Sequence, residues 1–132
     1  MRDKNKDFVK ICRILSVAPN YKNLPVNVLH RYTFPLVSLG QYKVFDKSFI
    51  TWSWFSDEVE KKFIEGKTLI QPEDHNTGEN FWYIDLICLG GKEELQKIKE
   101  SNLKDFGHLT RKYMRVFRKN KHKYVVEQPA RC

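Results

Sequence analysis

The residue of this chain best placed to do chemistry is Asp85, in the middle of FWYIDLICLGG, Phe81 to Gly91. A carboxylate between Ile84 and Leu86 in an apolar, aromatic run needs a partner or a task, because burying an unpaired charge is costly. It can act as a base or orient an attacking group; the plainer reading is a satisfied structural carboxylate, bonded to loop backbone or paired with an arginine such as Arg31. Gly90 and Gly91 close the same run just before a segment of helical composition. Backbone N–H groups at such a junction can receive an oxyanion or a phosphate, although an ordinary strand-to-helix turn has the same sequence. Among the four dispersed histidines, 30, 75, 108 and 122, His30 stands out because it lies in a short predicted helix soon after the loop holding Tyr21.

Other chemistries lack their signatures. The chain has no GxxxxGK[ST], no GxGxxG after a strand, no GxSxG and no HExxH. Cys12, Cys88 and Cys132 are scattered and odd in number, which argues against a disulfide framework and against a zinc site. Cys12 and Cys88 read as core residues and Cys132 as a tail thiol. No metal is expected.

The elements that must position these residues follow from periodicity. Phe8, Ile11, Cys12 and Leu15 share one face of a helix over residues 7–18. APNYKNLP is a loop, and a helix from Val26 should stop near Pro35. QYKVFD and FITWSWF form a hairpin around Lys47-Ser48. Ser56 caps a helix that ends at Gly66. QPEDHNTGEN is turn chemistry leading into the Asp85 strand. KEELQKIKESNLK and GHLTRKYMRVF read as two further helical pieces, and KYVVEQ as a last strand. Trp52, Trp54 and Trp82 are core or cleft walls. The order predicts a single domain, residues 1–132, of α/β (α+β) class with helices packed on a mixed, mostly antiparallel sheet.

The chain has 132 residues, 41% of them hydrophobic and 14% aromatic, enough for one sizeable core. No apolar run approaches the ~18 residues a spanning helix needs, and MRDKNKDFVK lacks the apolar stretch of a signal peptide. A cytoplasmic protein is expected. The net charge is +8, and the segment from Arg111 to Tyr124 supplies seven cations and no acid: Arg111, Lys112, Arg115, Arg118, Lys119, Lys121 and Lys123. Such a run is either a solvated face or a surface for an acidic protein, a nucleic acid or an anionic membrane.

Several blocks, taken in order, resemble the RTX toxin-activating lysine acyltransferases, which fatty-acylate an internal lysine of a toxin. They are PNYKNLPV, the FP and QY of residues 34–42, the Trp54-Phe-Ser segment, EDHNTGENFWYID and GHLTRKYMR, together spanning about Pro19 to Tyr124. No block is specific alone; their order and spacing carry the likeness. The resemblance implies a fold like the GNAT acetyltransferases and a donor that is an acyl-acyl carrier protein rather than acyl-CoA. It also implies a protein acceptor and a homodimer, with no bound cofactor. An acidic carrier protein would be steered by the basic balance. The family's reactive pair is a loop His and a strand Asp. Asp85 matches the Asp, while Tyr21 stands where the His is expected, so Tyr21 would donate to the leaving thiol and His30 would be a substitute base. Against the family, the segment from about Lys92 to Asp105 looks like an extra helix and the C-terminus looks short. The alternative is a binding or inhibitory protein on the same scaffold, using its basic C-terminal segment, residues 111–124, on a protein or nucleic-acid partner.

Overall fold

A computed structural model of the protein describes residues 2–19, 21–116 and 122–131. Its elements run α1 (Lys4–Val17), α2 (Val26–Ser38), β1 (Tyr42–Val44), β2 (Ser48–Phe55) and α3 (Asp57–Glu65). A short 3-10 turn at Pro72–His75 precedes β3 (Asn80–Cys88), α4 (Gly91–Phe106), β4 (Arg111–Val116) and β5 (Lys123–Gln128). The strands form one mixed sheet in chain order. Neighbours are antiparallel except β3 and β4, which are parallel. This is the α/β class that the order of elements predicts, and it is consistent with a GNAT-like scaffold.

Local chemistry accounts for the boundaries. The Asp3 carboxylate accepts from Lys6 N at the start of α1, and Ser56 Oγ accepts from Val59 N at the start of α3. Gly66 ends α3 at φ 69°, a conformation that suits glycine. Side chains alternate along β2 and split the core between the two faces of the sheet. Phe49 packs with Ile11, Ile14, Leu15 and Val37 beneath α1 and α2. Ile50 and Trp52 pack with Phe81, Ile98 and Phe106 beneath α4. Phe55 and Trp82 meet Val59 of α3.

Two sequence expectations fail. Helix α2 does not stop at Pro35 but runs through it to Ser38. The carbonyl deprived of a donor belongs to exposed Arg31, and the last turn is held by the burial of Leu36 and Val37 and by Leu39 N donating to Pro35 O. The second failure is GHLTRKYMRVF, whose latter part is the strand β4. Six residues of it pair with β5, and Met114 and Lys112 turn to the Trp82 side at period two. The helix expected over about Lys92 to Asp105 is present. It lies in α4, the crossover that a parallel β3–β4 pair requires.

Candidate functional site

Strands β3 and β4 are paired only at Phe81↔Arg111 and Trp82↔Lys112. Beyond those pairs they part, and a cleft of about 900 Å³ opens between them. Tyr83, Ile84, Asp85 and Leu86 form one wall, and Tyr113, Met114 and Arg115 the other. Helix α4 contributes Leu95, Lys99, Asn102 and Leu103, and Tyr21 closes one side.

A β-bulge sets the direction of Asp85. Thr51 pairs with Asp85 and Trp52 with Tyr83, so Ile84 is an extra residue on β3. Strict alternation would place Asp85 beside Phe81 and Tyr83, on the side of α4. The bulge instead turns it with Thr51 toward α1 and α2, as bulges do when they re-aim a side chain. Thr51, fully buried, holds it twice. Its hydroxyl accepts from Asp85 N at 3.1 Å and donates to Asp85 Oδ2 at 3.3 Å.

Tyr21 completes the arrangement from the loop between α1 and α2. That loop is fixed by Tyr21 N donating to Ala18 O and Leu24 N donating to Tyr21 O, both at 3.0 Å. The ring packs against the core under α1, and the hydroxyl is directed at Asp85 as a hydrogen-bond partner. Burial raises the Asp85 pKa above the ordinary carboxylate range and outweighs the hydrogen bonds from Thr51 and Tyr21, which pull it down. Burial first, then the charge and hydrogen bond of Asp85, raise the Tyr21 phenol above its usual value. The result is a phenol that keeps its proton beside a carboxylate more basic than usual, a donor and an acceptor in one cleft.

The other predicted residues are placed differently. His30 is exposed on α2, its ring stacked on Phe34 at 4.6 Å and edge-on to Phe8, and it is not part of the cleft wall. Gly90 and Gly91 lie past the end of β3 beside the β1–β2 turn, where Leu89 N donates to Lys47 O; the cleft wall does not include them either. The basic run does not present one surface. Arg111 is only 5% exposed and lines the cleft. Lys112 points to the opposite face, in a 3.0 Å ion pair with Glu60 over the Trp82 ring. Alternation along a strand sends neighbouring cations to opposite faces, which a helical reading of the segment hides. Arg115 and Lys123 are exposed, and Arg118, Lys119 and Lys121 lie outside the described residues.

Thr51, Tyr83 and Asn102 are site residues that the sequence did not single out. A threonine in a strand of aromatics is the one faint signal among them. No group of three or more His, Cys, Asp or Glu that could hold a metal occurs among the described residues. Nor, among them, is any helix long and apolar enough to cross a membrane.

Comparison with known proteins places the chain among relatives. The model of the RTX toxin acyltransferase family (HlyC) matches residues 2–130. An uncharacterized protein of Synechocystis, sll0720, is 27% identical over 86 residues, 60% of this chain and 58% of its own length. The protein-lysine myristoyltransferase RtxC of Kingella kingae is 24% identical over 98 residues, 70% of this chain and 59% of its own. The leukotoxin-activating lysine-acyltransferase LtxC of Aggregatibacter actinomycetemcomitans is 26% identical over 94 residues, 65% of this chain and 56% of its own. The chain thus spans less than three fifths of the length of each of these relatives.

Proposed function

The chain belongs to the RTX toxin acyltransferase family, and from that premise we propose that it transfers an acyl group from a thioester donor to a lysine of a protein. The donor is an acyl-acyl carrier protein, or acyl-CoA in its place. The observation that carries this reading is Asp85, turned by the bulge to meet Tyr21 inside a cleft between parting strands. Two relatives bear names that specify a lysine acceptor, which supports the choice of acceptor. The net charge of +8 favours an acidic carrier protein as the partner that delivers the donor, and the cytoplasmic setting belongs to the same proposal.

In this reading the neutral lysine amine attacks the thioester carbonyl. As the C–N bond forms, Asp85 takes the amine proton. As the C–S bond breaks, Tyr21 gives its proton to the leaving sulfur. The proton on Asp85 then returns to the Tyr21 oxygen across their hydrogen bond, so the products are an amide and a thiol and the pair is restored. His30 has no part, being outside the cleft.

The test is incubation with acyl-acyl carrier protein or acyl-CoA and a lysine-bearing protein acceptor, followed by mass spectrometry. Acylated lysine should form, and Asp85→Asn should lower the rate about 10²- to 10⁴-fold, the usual worth of a positioned acid or base. No product from either donor, or an Asp85→Asn protein as active as the unaltered one, would exclude transfer at this site. A binding role for the scaffold would then be the better account.

A further inference from the structure

We propose that Arg111, Tyr83 and Asn102 form a subsite for an oxyanion, a phosphate or a carboxylate, on the α4 side of the β3–β4 cleft. Arg111 sits in register with Phe81, which packs on Phe106 of α4. Its guanidinium is almost wholly buried. Its two bonds, each 3.3 Å, run to the carbonyls of Leu109 and Pro129, and neither carries a charge. Among the described residues no acid pairs with it; the ion pairs there join Lys43 to Asp105, Lys62 to Asp74 and Lys112 to Glu60. A guanidinium cannot shed its proton, so a buried one without a counter-ion is held at a cost that a bound anion would remove.

Two further observations point to the same spot. The Tyr83 hydroxyl lies against the Arg111 guanidinium, which pulls its pKa down against the rise from burial, yet neither it nor the buried Asn102 Oδ1 makes a hydrogen bond of good geometry, and both line the cleft. Buried polar groups are normally satisfied, so two poorly satisfied groups, on β3 and on α4, facing one cleft beside an uncompensated cation mark a missing ligand. The cleft wall holds four cations, Lys99, Arg111, Arg115 and Arg131, against the single carboxylate of Asp85. The bulge turns that carboxylate toward α1 and α2. An oxyanion fits the donors on offer: guanidinium N–H groups, a phenol O–H and, with the amide turned over, the Asn102 NH₂. A plain aliphatic chain fits none of them. The subsite does not depend on acyl transfer, since a binding protein on this scaffold would fill it in the same way.

The experiment compares probes that differ only in charge. Calorimetric titration of the whole chain would set 4′-phosphopantetheine against pantetheine, and hexanoate against hexanamide. We expect at least one anion to bind about tenfold or more tightly than its neutral counterpart, the scale of a charge-assisted hydrogen bond. A preference confined to the first pair assigns the subsite to phosphate, and one confined to the second assigns it to carboxylate. The preference should vanish in Arg111→Gln and shrink severalfold in Tyr83→Phe. Equal binding within both pairs overturns the proposal, as does a preference that survives both variants. Tyr83→Phe loses one oxygen and keeps its shape, so it decides the matter should Arg111→Gln fail to fold.

Discussion

Asp85 is a carboxylate that the fold holds at some expense. Its raised pKa means that the ionised form is less favourable in the native state than in the unfolded chain. With the sign worked through, Asp85 lowers stability at pH values above the ordinary carboxylate pKa and ceases to do so once both states are protonated. Asp85→Asn should therefore raise the denaturation midpoint at pH 7 while slowing transfer, and the gain should disappear near pH 3. Urea titrations at the two pH values check this, and a variant less stable than the parent at pH 7 would show the carboxylate to be a structural asset. Tyr21→His makes a complementary prediction. An imidazole with pKa near 6.5 is a competent base at neutral pH where a phenol is not. The variant should transfer about tenfold faster at pH 8, with its rate falling below about pH 6.5. Steady-state rates across pH 5.5–8.5 measure both features. Asp85 was legible in the sequence because a charge among β-branched and aromatic neighbours is conspicuous. Tyr21 was legible only through a family likeness, since a loop tyrosine has no signature of its own. Arg111 was misread because one cation in a basic run looks like the next, and only the fold decides which of them turns inward.

Between elements, Glu60 is a polar hub. It ties α3 to two strands, accepting from the indole of the wholly buried Trp82 at 2.8 Å and from Lys112 at 3.0 Å. Glu60→Ala would leave a buried indole N–H and a half-buried ammonium without partners, at about 2–3 kcal/mol together. That corresponds to a fall of several degrees or more in melting temperature for a chain of this size. Glu60→Gln, which keeps an acceptor, should lose clearly less, and thermal melts followed by circular dichroism separate the two. Most elements were legible because period, caps and breakers agreed: Ser56 and Gly66 bracket α3 as their chemistry demands. Strand β4 was not, because RKYMRV has little β-branching and a helix-compatible composition; its pairing with β5 decides its state. Pro35 misled for a related reason, since a proline ends a helix only where burial downstream does not hold the turn together.

For the molecule as a whole, buried titratable groups define the pH range of stability. His75 bonds Ser53 across 2.7 Å, and burial lowers its pKa below 6.5 despite the nearby charge of Asp74. The unfolded chain takes up a proton near pH 6.5 that the folded chain refuses, so this contribution is complete above that pH and is lost as pH falls through the lower folded value. Tyr42 behaves in the opposite sense. Burial, followed by its hydrogen bond to Asp7, pushes it up to about 12. Its contribution is complete below pH ~10 and is lost as pH rises toward that value. Melting temperature should form a plateau between about pH 6.5 and 10, and His75→Gln should remove part of the acid limb without touching the alkaline one. A variant with an unchanged acid limb would rule His75 out as a cause. At this scale the class of fold was legible from the order of elements. The cleft was not, because it exists only where two strands that start side by side diverge.

The unpaired Ile84 makes the site a matter of parity. Odd and even positions along β3 exchange faces at that residue, and Asp85 reaches Tyr21 only because the count has slipped by one. Adding one residue to β2 between Thr51 and Trp52 would leave every chemically active group in the chain, yet it would give Ile84 a partner, restore the regular count and put Asp85 on the same face as Tyr83. A change of one residue in the length of β2, far from any reacting group, would thus unmake the site.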